Sequence, residues 1–235
     1  MAGTRKRFWG WLKWVIALFF VGILAWQGWY YAHLWWWVDH DPASTRFMDM
    51  RLAGLRAKDP DARLKHYWVP YARISNHLKF AVVAAEDTAF VDHEGFDWSS
   101  IEKAFERNQK KGRVVAGGST ISQQLAKNLF LSGEKSYGRK AQEAIITWMM
   151  ESRMDKRRIL EIYLNVVEWG NGVFGAEAAA RHYFGVPAAQ LSREQAARMA
   201  AMLPRPRFYD NNRDSAHLSR RIPVILKRMQ QVEIP

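Results

Sequence analysis

Residues 117–128 read Gly-Gly-Ser-Thr-Ile-Ser-Gln-Gln-Leu-Ala-Lys-Asn, so two glycines stand directly before a run led by Ser and Thr. Ser and Thr are favoured at helix N-termini, and Ile121, Leu125 and Leu129 recur at the spacing of one helix face. Glycine permits a close backbone approach, so the amides at this helix start could bind an anion. An ordinary capped amphipathic helix fits the same pattern. The polar face of the predicted helix carries Gln124, Lys127 and Asn128.

Upstream, an apolar helix ends in two adjacent acids. Its stripe consists of Ile74, Leu78, Val82 and Ala85. Glu86 and Asp87 follow directly, and a carboxylate set against a hydrophobic wall has a raised pKa, which suits proton transfer. The alternative is that either acid only accepts hydrogen bonds from loop amides or pairs with a base.

Downstream, residues 135–143 read Lys-Ser-Tyr-Gly-Arg-Lys-Ala-Gln-Glu. Arg139 and Lys140 lie four and three residues before Glu143 on one predicted helix, which is the spacing of a surface ion pair worth a few tenths of a kcal/mol. The second interpretation joins Lys127, Lys135, Arg139 and Lys140 into a cationic site for a di-anionic leaving group, oriented by Glu143.

The rest of the chain after residue 38 is predicted to be mostly helical. Further helices are expected around Arg46–Lys58, at Arg139–Glu151, at Lys156–Val167 after an Asp155 N-cap, and from the Ser192–Gln195 capping box to Pro204. Long loops are expected around 87–100, 110–119 and 168–176, and no strand pattern of useful length occurs. The glycines at 170, 172 and 175 match a dinucleotide-binding spacing but follow a helix instead of a strand, which excludes that fold.

The N-terminal region predicts a membrane anchor. From Trp14 to Ala32 the only non-aromatic polar side chain is Gln27, and tryptophans flank this span on both sides. Basic residues before the span and a first acid at Asp39 predict a cytoplasmic N-terminus. A signal peptide would need a shorter apolar region and a small-residue cleavage site, and a buried helix of a soluble protein would not have such flanks. The expected divisions are 1–13 cytoplasmic, 14–34 transmembrane, 35–65 juxtamembrane and 66–235 catalytic.

Composition restricts the function classes. The 235 residues carry 35 Lys and Arg against 23 Asp and Glu, a net charge of +12, which favours an anionic partner. The absence of cysteine excludes a disulfide framework, Cys-ligated metal centres and a thiol nucleophile. His93 and His182 lack the spacing of zinc ligands. The Ser100-x-x-Lys103 match to an acyl-transfer motif lacks the partner motifs that such enzymes need.

Five motifs together resemble glycosyltransferase family 51, which polymerises peptidoglycan strands from lipid II. They are Glu86-Asp-x-x-Phe90-x-x-His93-x-Gly95, residues 117–128, Arg139-Lys-x-x-Glu143, Ile159-Leu-Glu-x-Tyr-Leu-Asn165 and the Gly175–Gly185 segment. A single anchor without a transpeptidase domain is similar to the monofunctional members. The resemblance implies a mostly α, lysozyme-like helical domain with a small membrane-proximal jaw subdomain, preceded by one transmembrane helix.

The resemblance also implies residue roles. Glu86 matches the general base and Glu143 the second catalytic glutamate. The cations expected to bind the pyrophosphate are Lys127, Lys135, Arg139 and Lys140. The residues expected to line the substrate cleft are His93, Ser119, Gln124 and Asn128. Lys135 stands where the family often has Arg, and Tyr209-Asp210-Asn211 stands where it usually has Tyr-Asn-Pro, two departures from the family pattern.

No protein-held metal is expected, although Mg²⁺ or Mn²⁺ could assist at the pyrophosphate. The expected partners are lipid II, the growing glycan strand and membrane lipid, with other cell-wall synthesis proteins as candidates and no nucleic acid. The expected location is the bacterial inner membrane, with the catalytic domain outside the cytoplasm. Two rival classes are a lytic enzyme, which would need a general acid and no pyrophosphate cradle, and a charged scaffold or nucleic-acid binder.

Overall fold

The computed structural model describes residues 2–113, 117–134 and 136–235 and forms two compact units, Met1–His40 and Asp41–Pro235. The first unit is helix α1 (Ala2–Trp36), of which Trp11–Trp36 is long and apolar enough to cross a membrane. Large apolar side chains along it are exposed, including Trp14 at 73% and Leu24 at 69%. This exposure argues against the core helix of a soluble protein and agrees with the predicted anchor.

The second unit is mostly helical. Its helices are α2 (Arg46–Arg56), α3 (Asn76–Glu86), α4 (Trp98–Lys111), α5 (Ile121–Phe130), α6 (Tyr137–Glu151), α7 (Lys156–Val166), α8 (Ala176–Phe184), α9 (Arg193–Met202), α10 (Pro206–Asn211) and α11 (Ala216–Arg228). The mostly α fold class with one preceding apolar helix is therefore confirmed. The jaw subdomain and the domain boundaries stay predictions.

Two helix groups form the core of this unit. Helix α3 packs against α9 and α11, and α5 packs against α2, α6 and α7. Small side chains such as Ala197 and Ala200 are fully buried on α9, which lets α3 approach closely. The ends of α3, α5 and α6 that carry the predicted site residues thus belong to well-packed helices.

The helices predicted from apolar periodicity are confirmed to within about two residues, and their caps explain why. The Thr120–Gln123 and Ser192–Gln195 capping boxes are both formed, and the Asp155 side chain accepts from the Arg158 amide. Each of these signals depends only on neighbouring residues, so the sequence pattern suffices to place the helix start.

Two predicted loops are wrong in part. The described residues of the loops around 87–100 and 110–119 are mostly non-helical, but α4 includes 98–100 of the first and 110–111 of the second. Asp97 caps the start of α4, and Gly112 follows its end in the left-handed region at φ +60°. Within α4, Ala104 is the buried residue, so this helix contributes little to the core. Val114, Val115 and Ala116 of the second predicted loop lie outside the described residues.

The predicted loop at 168–176 is also wrong, because a small sheet occupies most of it. Strands β1 (Lys65–His66), β2 (Glu168–Gly170) and β3 (Val173–Phe174) form a sheet in the order β1-β3-β2. Lys65 pairs with Val173 in a parallel register, whereas β2 and β3 are antiparallel with an irregularity between Glu168 and Gly170. Strands of two or three residues are too short to show an alternating pattern.

The glycine cluster serves this hairpin, where the sequence predicts a glycine-permitted loop. Gly172 turns the chain between β2 and β3 at φ +71°, and Gly175 precedes α8 at φ +81°. A Cβ at Gly175 would lie 2.6 Å from the Asn165 carbonyl oxygen, so the backbone passes too close for a side chain.

Candidate active site

Glu86 is the last residue of α3, and its carboxylate is half-buried. The amide Nε2 of Gln124 donates to Glu86 Oε2 over 2.9 Å. Burial raises the pKa of Glu86, and the charge of Asp87 adds to this, while the Gln124 hydrogen bond and the positive charges of Arg221 and Lys127 oppose it. The net effect is a raised pKa, as expected for a proton-transfer group.

Asp87 has a different environment from its neighbour. It is buried, its Oδ2 accepts from the Ile121 amide over 3.0 Å, and both of its oxygens contact His93 Nε2 at 3.0 and 3.1 Å. Because His93 Nδ1 accepts from the Gly95 amide, Nε2 carries the proton that Asp87 binds. The alternative stated for the acid pair therefore describes Asp87, which joins the end of α3 to the start of α5.

The predicted cationic cluster forms around Glu143. This residue is buried on α6, its Oε2 accepts from Arg139 Nη1 over 2.6 Å, and its Oε1 pairs with Lys140 Nζ. Only 4% of the Glu143 side chain is exposed, which is unlike a surface ion pair. Within the described residues, the buried Nε of Arg139 has no hydrogen-bond partner.

The charge of Lys127 interacts with both glutamates, Glu86 and Glu143. Burial lowers the pKa of this half-buried lysine; Arg139 and Lys140 lower it further, while Glu143 and Glu86 oppose the shift. The Lys127 ammonium group thus interacts electrostatically with the carboxylates of Glu86 and Glu143 and with the cations Arg139 and Lys140. The site predicted from three separate motifs comes together, with the exception of Lys135, which lies outside the described residues.

Cavities open beside this arrangement. One of about 230 Å³ is lined by Glu86 and Ser119 together with the cations Lys103, Arg107 and Arg228. A second of about 540 Å³ is lined by Gln124, Lys127 and Asn128, facing a wall that carries Arg51, Arg205 and Arg207. Ser119 Oγ also lies 3.5 Å from Lys140 Nζ. Of the predicted cleft residues, Ser119, Gln124 and Asn128 line cavities, whereas His93 lines neither of these two and contacts Asp87.

Sequence reasoning missed two residues that bear on Glu86. The Tyr163 hydroxyl donates to Gln124 Oε1 over 2.9 Å, and Arg221 Nη2 of α11 donates to the Ala85 carbonyl over 3.1 Å. Tyr163 belongs to a motif already noted at 159–165, so its place in that motif was the available signal. Arg221 had no sequence signal.

The carboxylates of the site are already engaged by other side chains. Within the described ranges, no group of three or more His, Asp or Glu side chains is arranged to hold one. Glu143, the carboxylate nearest the cationic cluster, is already paired with Arg139 and Lys140.

Comparison with known proteins identifies the family. The model of the transglycosylase family matches residues 55–230. The chain is 60% identical over 224 residues to a biosynthetic peptidoglycan transglycosylase of Herminiimonas arsenicoxydans, covering 95% of this chain and 97% of that protein. It is 61% identical over 228 residues to that of Dechloromonas aromatica, covering 96% and 97%, and 59% identical over 230 residues to that of Thiobacillus denitrificans, covering 98% and 99%. On this evidence the chain belongs to the transglycosylase family, as one of the monofunctional peptidoglycan glycosyltransferases that its motifs resemble.

Proposed function

We propose that this protein polymerises lipid II into peptidoglycan glycan strands by an inverting glycosyl transfer, with undecaprenyl pyrophosphate as the leaving group. One observation supports this finer statement: the half-buried Glu86, whose pKa is raised by burial, and the Arg139–Glu143–Lys140 cluster both interact electrostatically with Lys127. Transfer from a pyrophosphate needs a base for the acceptor and cations for the leaving group.

Glu86 supplies the base. Its carboxylate takes the proton from the 4-hydroxyl of the acceptor GlcNAc while that oxygen attacks C1 of the donor MurNAc. A raised pKa makes the carboxylate a better proton acceptor, and the Gln124 hydrogen bond retains enough stabilisation of the ionised form. Attack on the face opposite the leaving group inverts the anomeric centre from α to β.

Lys127, Arg139 and Lys140, together with Lys135, bind the pyrophosphate. Negative charge grows on this group as its bond to C1 breaks, so cations already in place stabilise the transition state more than the ground state. Glu143 orients Arg139 and Lys140 through its two oxygens. No step of this scheme is assigned to a metal ion.

The lytic rival uses the same kind of glutamate as a general acid. Hydrolytic or lytic cleavage of a finished strand has no di-anionic leaving group to stabilise. The cluster around Glu143 therefore favours synthesis over cleavage. It also argues against a nucleic-acid binder, because Arg139 and Lys140 are paired with Glu143 and do not form a solvated basic stripe.

The membrane setting belongs to the same proposal. Helix α1 anchors the protein in the bacterial inner membrane with its N-terminus in the cytoplasm and the catalytic unit on the outer side, where membrane lipid keeps lipid II within reach. Other cell-wall synthesis proteins are proposed partners at this location.

Purified full-length protein with lipid II in one assay and mature peptidoglycan in another tests the proposal. The wild type should polymerise lipid II and leave mature strands intact. Glu86→Gln should lower polymerisation by about 10²–10⁴, because the amide cannot accept the proton. Glu106→Gln, which changes an exposed glutamate of α4, is the matched control and should keep normal turnover. Cleavage of mature strands without polymerisation would establish the lytic rival instead.

A further inference from the structure

Tyr163 lies in the middle of α7 and is fully buried, although its side chain carries a hydroxyl. Burying a hydroxyl without a partner costs free energy, so its hydrogen bond is the informative feature. The hydroxyl donates to Gln124 Oε1 over 2.9 Å. The other end of the same amide, Nε2, donates to Glu86 Oε2 over 2.9 Å.

These two bonds connect three helices through one amide group. Gln124 lies on α5, which packs against α7, while Glu86 ends α3. A glutamine side chain has several rotatable bonds, and a hydrogen bond at each end of its amide restricts them. The hydroxyl therefore holds the amide nitrogen at the carboxylate.

We propose that Tyr163 is a positioning residue for the transfer reaction: its hydroxyl fixes the amide of Gln124, and the fixed amide sets the ionisation of Glu86. This inference rests on the proposed role of Glu86 as the base. Burial holds the pKa of Tyr163 well above its usual range, so the hydroxyl stays neutral and remains a donor at working pH.

Three charged groups act on the pKa of Glu86 besides the Gln124 amide: Asp87 is its sequence neighbour, Lys127 lies on α5, and Arg221 lies on α11. Lys103, Arg107 and Arg228 line the same cavity as Glu86. Burial of Glu86 and the charge of Asp87 raise its pKa, whereas Gln124, Arg221 and Lys127 lower it. Tyr163→Phe leaves all of these charges in place and removes one hydroxyl. A change in the pKa of Glu86 in this variant therefore shows the effect of releasing the Gln124 amide.

The sign of the effect follows from the bond that is lost. The Nε2–H bond stabilises the ionised carboxylate and lowers the pKa of Glu86, so releasing the amide raises that pKa. The acid limb of the pH profile of kcat/KM should move to higher pH by about one unit, which is a tenfold change in the ionisation constant. Turnover should fall most at low pH and recover on the alkaline side of the new limb.

The experiment measures lipid II polymerisation by full-length wild type, Tyr163→Phe, Gln124→Met and the double variant across the pH range of the acid limb. Gln124→Met keeps the side-chain length but has no donor, so its limb should shift at least as far. Because Tyr163 acts through Gln124, the double variant should show the limb of Gln124→Met with no further shift. Shifts that add in the double variant would overturn the relay.

Tyr71→Phe is the matched control. Its hydroxyl donates to the Pro235 carbonyl over 2.7 Å, and it precedes α3, whose 11 residues separate it from Glu86 by about 16 Å. This variant should melt earlier without moving the limb. If Tyr163→Phe lowers activity by the same factor at every pH and leaves the acid limb in place, the residue is only structural and the proposal is wrong.

Glu86→Gln separates this inference from the proposed function. If that variant stays active, Glu86 is not the base and both proposals fail. If it is inactive while Tyr163→Phe leaves the limb unmoved, only the positioning role fails.

Discussion

Glu86 and Asp87 are adjacent in the chain, yet their carboxylates face different surroundings. Both acids line the same cavity, but Glu86 accepts a hydrogen bond from a side-chain amide, whereas Asp87 is buried and accepts from the Ile121 amide and His93. The backbone leaves the helical conformation at Asp87, where φ is −160°. Asp87 therefore holds two helices together, and Glu86 is the more exposed of the two acids.

Asp87→Asn should cost stability more than turnover. An asparagine can accept one of the two hydrogen bonds, but its NH₂ group then faces a donor, which leaves a buried polar group unsatisfied. We expect the free energy of unfolding to fall by about 1–3 kcal/mol. Thermal melting and lipid II turnover measured together check this. Loss of activity as severe as in Glu86→Gln, with an unchanged melting temperature, would instead place Asp87 in the chemistry.

Removing single cations tests the proposed pyrophosphate site. A charge-assisted hydrogen bond is worth roughly 1.5–3 kcal/mol, so Lys127→Ala, Arg139→Ala and Lys140→Ala should each lower kcat/KM about ten- to a hundredfold. Part of this loss should appear in kcat, because the leaving group gains charge as its bond breaks. Lys140→Arg should be milder than Lys140→Ala because it keeps the charge.

Lys110→Ala is the matched control for these variants, since Lys110 is an exposed lysine in the last turn of α4. It should leave turnover unchanged. A surface ion pair with Glu143 would lose only tenths of a kcal/mol in stability. Near-normal turnover in all three alanine variants would therefore remove the support for the pyrophosphate site.

At the scale of elements, the small sheet depends on contacts that converge on Asp210. Its Oδ2 accepts from the Asn171 amide over 3.0 Å, and its Oδ1 accepts from His182 Nε2 over 2.9 Å. Tyr183 beside it donates to the Trp169 carbonyl over 2.8 Å. The histidine and the hairpin amide thus satisfy the carboxylate of Asp210.

Asp210→Asn should destabilise the fold in a pH-dependent way. Burial alone would raise the pKa of Asp210, but the hydrogen bonds from His182 and Asn171 outweigh it, so the net pKa lies below the ordinary value of 3.8. A lowered pKa in the folded state contributes stability above the unfolded pKa and loses it as pH falls through the folded pKa. We expect a loss of about 1 kcal/mol at neutral pH.

Denaturant unfolding of both proteins at neutral pH and at a pH well below 3.8 checks this. The difference between them should shrink at the lower pH, because the wild-type carboxylate is then protonated in the folded state as well as in the unfolded state. Asp214→Asn is the control, since the Asp214 side chain is 95% exposed and its oxygen lies 3.8 Å from Arg198. A difference between wild type and Asp210→Asn that is independent of pH would contradict the assigned role.

Local signals explain which elements the sequence predicts. Helices α3, α5, α6, α7 and α9 combine an apolar stripe with a capping residue, and both signals lie within a few residues of each other. Strands β2 and β3 owe their pairing to Gly172 and to Asp210, which lies 39 residues beyond its Asn171 partner. No window of sequence contains both halves of that contact.

The contacts of the site also divide into those within one helix, which the sequence predicts, and those between distant segments, which it does not. Arg139, Lys140 and Glu143 occupy one helix, so their spacing already predicts contact. Tyr163 and Gln124 are 39 residues apart, and Arg221 reaches Ala85 across 136 residues. Packing of α5 on α7 and of α11 on α3 creates those contacts, and no single sequence motif predicts this packing.

At the scale of the whole molecule, charge and the apolar helix point to the same location. Residues 1–38 hold four cations and no acid, so the remainder keeps 12 − 4 = +8. A catalytic unit with this excess is attracted to anionic lipid headgroups and to pyrophosphate, and screening by salt weakens that attraction. The proposed anchor adds a permanent attachment that salt would not affect.

The last prediction concerns orientation. Arg5, Lys6 and Arg7 precede the Trp11–Trp36 span, and the first acid, Asp39, follows it, so the positive-inside rule predicts a cytoplasmic N-terminus. A reporter that is active only outside the cytoplasm should be active when fused after Pro235, and a reporter that is active only in the cytoplasm should be silent there. Replacing the three basic residues with alanine weakens the bias, so part of the population should then activate the cytoplasmic reporter. Cytoplasmic activity with the unaltered N-terminus would reverse the orientation and place the active site on the wrong side of the membrane for strand synthesis.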